Sequence, residues 1–151
     1  MGLHRSDFIA IFVFQNYFDS KVNTFFMKQA INTSNAPAAI GPYSQAIEAN
    51  GFVYVSGQLP INPSDGTMPN DIKEQTRQSL GNLKAILAER GLGPESVVKT
   101  TVFLADMSLF APMNEVYAEF FSAPFPARCA FAVKELPKQA LVEIEAVAAI
   151  G

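Results

Sequence analysis

The sequence predicts an α+β domain in which one mixed sheet carries two helices on one face. Three observations predict it. Asn50-Gly51 stands between two strand-like runs, the strongest short hairpin signal there is. Residues 70–91 and 109–121 repeat apolar side chains at three- and four-residue spacing, as amphipathic helices do. A β-rich run at 96–104 lies between those helices, and two more strand-like runs follow them at about 127–133 and 140–149.

Taken in order, residues 35–44 hold two Pro, a Gly and small residues and read as an extended loop. Ala46–Glu48 and Phe52–Ser56 form the hairpin. Pro60, Pro63, Gly66 and Pro69 make residues 60–69 a turn-rich loop. Asn70 then reads as a helix cap, with Asp71 and Glu74 in the first turn where the helix dipole favours acids. Ile72, Thr76, Leu80, Leu83 and Leu87 give that helix its buried face, and Gly91 ends it. The run Ser96–Leu104 is apolar enough on both faces to suit the middle of a sheet. The second helix buries Phe110, Met113, Val116, Tyr117, Phe120 and Phe121, and Pro112 is tolerable in its first turn. Pro124 and Pro126 stop it. The order is β-β-α-β-α-β-β. Nothing visible in the chain covers the sheet's other face, and self-association is the economical answer.

Composition narrows the function classes. The chain of 151 residues is one domain by length, large enough to bury a core without disulfides. A net charge of -3 and a pI near 5.1, with scattered basic residues, argue against general nucleic-acid affinity. The single Cys, Cys129, excludes an intramolecular disulfide or a multi-Cys zinc site and fits a reducing, cytoplasmic setting. His4 is the only His and lies at an extreme of the chain, so imidazole catalysis is nearly absent by inventory.

Residues 1–26 form an N-terminal extension unlike the rest, with the domain expected over 27–151. The apolar run Phe8–Phe14 is too short to span a membrane, which needs about 20 apolar residues. It also lacks a small-residue cleavage site. A disordered arm and an extra packing element are possible readings. The favoured one is sequence upstream of a native start at Met27. The Asn32-Thr33-Ser34 sequon would matter only on a secreted chain.

The chain has no P-loop, no GxGxxG after a strand, no HExxH and no GxSxG. No metal or nucleotide cofactor site is visible, and Gly91-Leu92-Gly93 is a helix-to-strand connection. Arg128 stands out instead, alone in the apolar run Phe125-Pro-Ala-Arg-Cys-Ala-Phe-Ala-Val133. Burying an unpaired charge costs several kcal/mol or more, so this guanidinium needs an acidic partner or a ligand. A buried ion pair is one reading. The other is a planar fork offered to a substrate carboxylate. The last strand, Leu141-Val-Glu-Ile-Glu-Ala-Val147, puts Glu143 and Glu145 on one face. They are a solvent-facing acidic edge, partners for Arg128, or a base that holds water. The last role requires Glu143 to lie near Arg128 or near its counterpart in another subunit.

Weaker candidates complete the set. Tyr43 is a loop residue able to close over a ligand. Ser56-Gly57 ends a strand where a ligand could approach the backbone. Asn114 is the polar exception on the second helix. Cys129 reads as a small core residue, its side chain turned away from that of Arg128 by strand alternation.

Several separated motifs then carry a resemblance. Asn35-Ala-Pro-Ala-Ala-Ile-Gly-Pro-Tyr-Ser-Gln-Ala46, Val55-Ser-Gly-Gln58, Arg77-Gln-Ser-Leu80, Val98-Lys-Thr-Thr-Val102, Asn114, Phe125-Pro-Ala-Arg128 and Val142-Glu-Ile-Glu-Ala146 resemble the Rid (reactive intermediate deaminase, or YjgF) family. The resemblance covers essentially all of 27–151. It implies a chorismate-mutase-like fold assembled as a homotrimer with clefts between subunits. It also implies a cofactor-free hydrolytic deaminase that converts small 2-imino acids, such as 2-iminobutanoate and 2-iminopropanoate, or their enamine tautomers, to 2-keto acids and ammonia. Such activity limits damage by reactive intermediates of amino-acid metabolism. By position, the resemblance implies that Arg128 holds the carboxylate and Glu143 positions water. Tyr43 would reach in from a neighbour, with Ser56, Gly57 and Asn114 lining the cleft and the backbone at Cys129 and Ala130 able to hold the water. Typical enteric members carry a Cys two residues after this Arg, where this chain has Ala130. Two other classes stay open: a small-carboxylate-binding trimer, and an endoribonuclease or translation-inhibitor type of relative.

Overall fold

The computed structural model describes residues 28–151; the expectations for residues 1–26 and the start at Met27 fall outside these. Six strands and two α-helices make up this stretch, in the order β-β-β-α-β-α-β-β. The strands are β1 (Gln29–Ile31), β2 (Ala46–Ala49), β3 (Phe52–Gln58), β4 (Val97–Leu104), β5 (Ala127–Ala132) and β6 (Val142–Ala149). The helices are α1 (Ile72–Ala88) and α2 (Phe110–Phe120). They build one sheet of order β1-β2-β3-β6-β4-β5. Only the β4–β5 pair is parallel, so the sheet is mixed, as expected.

The local chemistry explains each element. Asn50 and Gly51 both take positive φ, 53° and 78°, which closes the tight hairpin with Ala49 opposite Phe52. Asp71, not Asn70, caps α1: its carboxylate accepts hydrogen bonds from the N–H groups of Lys73 (2.9 Å) and Glu74 (3.2 Å). Both residue types cap well, and the extended backbone at 71 decides between them. Gly91 at φ 66° ends the helix, its N–H donating to the Ala88 carbonyl and that of Leu92 to Leu87. β1 is an element the pattern did not announce. Three residues without alternation become a strand only because they pair with Ala46–Glu48. Buried Gln45 anchors the chain beyond it, accepting from the Thr33 N–H at 2.7 Å and donating to carbonyls of Thr33, Ala36 and Pro37.

The core lies between the helices and one sheet face. Val53, Val55, Val102, Leu104, Val142, Ile144, Ala146 and Ala148 point to it, met by Leu80, Leu83, Ile86 and Leu87 of α1 and Met113 and Val116 of α2. Gln75 and Asn82 are buried on α1 as well, because loop backbone needs them. Gln75 donates to the Pro69 carbonyl and accepts from the Leu141 N–H, while Asn82 donates to the carbonyls of Leu59 and Ile61. The opposite face of the sheet is uncovered within the described residues. Phe52, Tyr54 and Phe131 are exposed on it, and Phe103 meets Phe131 edge to face at 5.5 Å.

Candidate functional site

β4, α2 and β5 form a strand–helix–parallel-strand unit, which leaves β5 at the sheet edge with α2 beside it. Arg128 lies opposite Thr100 in that pair, and its side chain runs onto the helix-covered face. There it meets one stripe of α2. Phe110, Asn114 and Tyr117, spaced four and then three residues apart, project from the same side of the helix. Arg128 Nη1 donates to Asn114 Oδ1 at 2.7 Å. Its guanidinium carbon stands 4.6 Å from the centre of the Tyr117 ring and 5.4 Å from that of Phe110. The Tyr117 hydroxyl is in turn bonded to Thr100 Oγ1 at 2.7 Å, on the strand below.

Every group in this cradle is neutral. Burial raises the Tyr117 hydroxyl above its usual range, more than Thr100 and Arg128 lower it, so it stays protonated at neutral pH. No carboxylate forms an ion pair with Arg128 among the described residues. The ion-pair reading of this arginine therefore finds no partner among the described residues. The cation is instead stabilised by two ring faces and one amide oxygen. Most of its N–H donors are left available to an incoming acceptor.

Glu143 lies elsewhere. It faces Phe103 across β6–β4, on the uncovered side of the sheet, while the Arg128 level of the ladder is Thr100 and Ala146. Two strand spacings, roughly 10 Å, and the thickness of the sheet separate the two functional groups. Glu143 is half-buried, and burial first, then the charge of Glu145, raise its pKa above the ordinary carboxylate value. Its carboxylate folds against β3 at Gly57, where any added Cβ would overlap Glu143 Oε1 and stand 2.9 Å from Cδ. Ser56 and Gly57 sit in a break of the β3–β6 register. Ser56 Oγ donates to the Ser44 carbonyl at 2.7 Å, which ties β3 to the loop that carries exposed Tyr43.

The residues singled out from the sequence thus separate into two groups on opposite faces. Arg128 and Asn114 share the helix face, where Ala130 packs against the core. Ser56, Gly57 and Glu143 lie on the open side, with exposed Tyr43 in the loop that Ser56 holds through the Ser44 carbonyl. Cys129 is turned away from Arg128, as strand alternation requires, but it is exposed on the open face rather than buried in the core. An edge strand with no helix on that side offers it no cover. Phe110, Tyr117 and Thr100 were read only as core or strand residues. The aromatic–Asn–aromatic stripe on α2 was the available signal for them. Among the described residues no group of three or more His, Cys, Asp or Glu could hold a metal, and no helix is long and apolar enough to cross a membrane.

Comparison with known proteins gives this geometry its context. The family model described as endoribonuclease L-PSP matches residues 33–150. A RutC family protein of Pyrococcus horikoshii is 55% identical over 123 residues, covering 81% of this chain and 98% of that protein. The 2-iminobutanoate/2-iminopropanoate deaminase of Escherichia coli is 48% identical over 125 residues, covering 81% and 98%. Among solved structures, a Rid family protein from Yersinia pestis superposes with a TM-score of 0.80 at 49% identity, covering 82% of this chain and 100% of that one.

Proposed function

The chain belongs to the endoribonuclease L-PSP family, the Rid or YjgF proteins, and from that premise we propose that it is a hydrolytic deaminase of small 2-imino acids and their enamine tautomers. The observation that carries this reading is Arg128: a half-buried cation cradled by neutral groups, without an anionic partner among the described residues. The E. coli relative's name supplies the substrate class, 2-iminobutanoate and 2-iminopropanoate.

In this reading the active assembly is a homotrimer of chorismate-mutase-like domains spanning 27–151, in the cytoplasm. The Arg128–Asn114 group of one subunit faces the Tyr43–Ser56–Gly57–Glu143 group of the next. Arg128 binds the substrate carboxylate through its free donors. The iminium carbon next to that carboxylate is already electrophilic, so orientation and proton transfer suffice. Glu143, whose raised pKa suits a proton acceptor, takes a proton from water as the water oxygen bonds to C2. The same carboxyl then returns that proton to nitrogen, and as the C–N bond breaks the carboxylate relays the remaining hydroxyl proton from the new C2 oxygen to the departing ammonia. Iminium and water thus become keto acid and ammonium, with no electron transferred and no cofactor drawn in. Backbone groups at Cys129 and Ala130 line the cleft in this scheme.

The test is to generate 2-iminopropanoate and 2-iminobutanoate with an amino-acid oxidase and follow ammonia release. Arg128→Ala is expected to lose on the order of 100-fold or more in kcat/KM, the worth of two charge-assisted hydrogen bonds. Unchanged turnover in that variant overturns the assignment of Arg128. RNA cleavage without imine turnover would favour the endoribonuclease activity in the family's name, against which the pI near 5.1 argues.

A further inference from the structure

We infer that Tyr117 and Phe110 are positioning residues for Arg128, holding its guanidinium charged, oriented and free of internal carboxylates so that its fork stays open to a substrate carboxylate. The inference rests on the reading of Arg128 as the carboxylate anchor and adds to it the means by which the anchor is kept ready. The geometry is specific. Two rings and one amide oxygen from a single helical stripe contact one cation, and its nitrogens make no other hydrogen bond or ion pair within the described residues.

Three features separate this arrangement from ordinary core packing. Met113, Val116 and Leu104 show what core packing is here, being apolar side chains buried at 2% exposure or less. Tyr117, although similarly buried, carries a hydroxyl that must be satisfied, and Thr100 on the neighbouring strand satisfies it. That bond fixes the ring plane against which the guanidinium stacks. Thr100 is also the residue opposite Arg128 in the β4–β5 ladder, so the strand that carries the cation and the strand that fixes the ring are held in register. Finally, a ring face stabilises a cation without neutralising it. A carboxylate in the same place would compete with the substrate for the fork. A flexible arginine held by Asn114 alone would have to be ordered at each binding event.

The experiment uses the full-length protein and pyruvate, the simplest 2-keto acid, as the probe, with its Kd read by NMR titration alongside KM and kcat for 2-iminopropanoate. Tyr117→Leu removes the ring and is expected to raise the pyruvate Kd and the imine KM about tenfold, with kcat changed far less. Tyr117→Phe keeps the ring and should restore both constants to within about threefold of wild type. Val116→Ala, one residue away and equally buried, serves as the stability control; it should lower Tm without moving either constant. Phe110→Leu, at a half-buried position more tolerant of change, should weaken binding by about threefold even if Tyr117→Leu fails to fold. The inference is overturned if Tyr117→Leu and Val116→Ala shift binding equally, if Tyr117→Phe is as damaging as Tyr117→Leu, or if Phe110→Leu leaves the Kd unchanged. Arg128→Ala separates the levels. Loss of pyruvate binding there, with Tyr117→Leu and Phe110→Leu still binding normally, sinks the cradle alone. No pyruvate binding by the wild-type protein sinks the anchor and the cradle together.

Discussion

The two faces of the sheet are built from the same strands and could hardly differ more. On the helix face, alternate residues from Val53 to Ala148 meet α1 and α2 and are buried almost completely. On the open face, the intervening positions carry Phe52, Tyr54 and Phe131 into solvent beside Glu143 and Glu145. The covered face is finished within one chain and holds an arginine already seated. The open face is apolar and acidic at once, and nothing among the described residues completes it. A domain of this size rarely leaves so many aromatic side chains exposed on one surface without a partner for them. The contrast explains why the Arg128 group looks like a ready binding site while the Glu143 group looks like half of one.

Substitutions on the two faces should therefore behave differently. The largest effect is expected on the finished face. Ile144→Ala, at a fully buried position, should cost roughly 3 kcal/mol of stability, read from urea unfolding at several protein concentrations. A loss below 1 kcal/mol would mean the helix face is less closely packed than it looks. Tyr54→Glu on the open face should spare the fold but shift the mass seen by light scattering toward single chains, with imine turnover falling in parallel. A variant that assembles and turns over normally would remove the open face from the interface. Gly57→Ala probes the boundary between strand and carboxylate. The backbone there does not require glycine by its φ, so the cost comes from displacing Glu143. Turnover should fall about tenfold while pyruvate binding at Arg128 is retained, a 1.4 kcal/mol effect on the chemical step alone.

The smallest effect is electrostatic. Glu143 holds its proton more tightly in the native protein than in the unfolded chain, whose ordinary value is 4.5. The stability linked to that proton is fully present below the unfolded pKa and is lost as pH rises through the native one. Glu143→Gln should therefore be slightly more stable than wild type at pH 7, by about a few tenths of a kcal/mol once solvent screening of a half-buried group is allowed for, and no different at pH 4. A lower melting temperature at pH 7 would show that the carboxylate is gripped by a cation, such as one from a neighbouring copy.

Much of this was legible in the sequence because it is local. Asn50-Gly51, the apolar spacing of α1 and the stripe of α2 are signals written within a few residues of one another. β1 was not legible, since Gln29–Ile31 is a strand by virtue of its partner alone. The site was legible in its membership but not in its arrangement. Period two places Glu143 and Glu145 together, and it places Arg128 and Ala130 together. It does not say that the two pairs look out on opposite sides of the sheet, because that depends on how β5 and β6 both register on β4. Asn114 drew notice as a polar residue among apolar ones. Tyr117 did not, because a ring that buries its edge in the core and offers its face to a cation has the same sequence signature as a ring that only fills space.

The place of β6 has a consequence for how the molecule comes together. It is the last strand along the chain, yet it fills the middle of the sheet, between β3 and β4 and antiparallel to both. Until it arrives, the early hairpin with α1 on one side and the β4–α2–β5 unit on the other share no strand ladder. Pairing Phe52 with Ala149 closes residues 52–149, most of the described chain, into one loop. The entropy of that closure grows only slowly with loop length, by about 0.6 kcal/mol per doubling. The search for so distant a partner nevertheless slows folding, because the closure must be made before its contacts repay it. The C-terminal strand is the keystone: the rest of the arch is cut to shape beforehand, and none of it bears load until that piece is set.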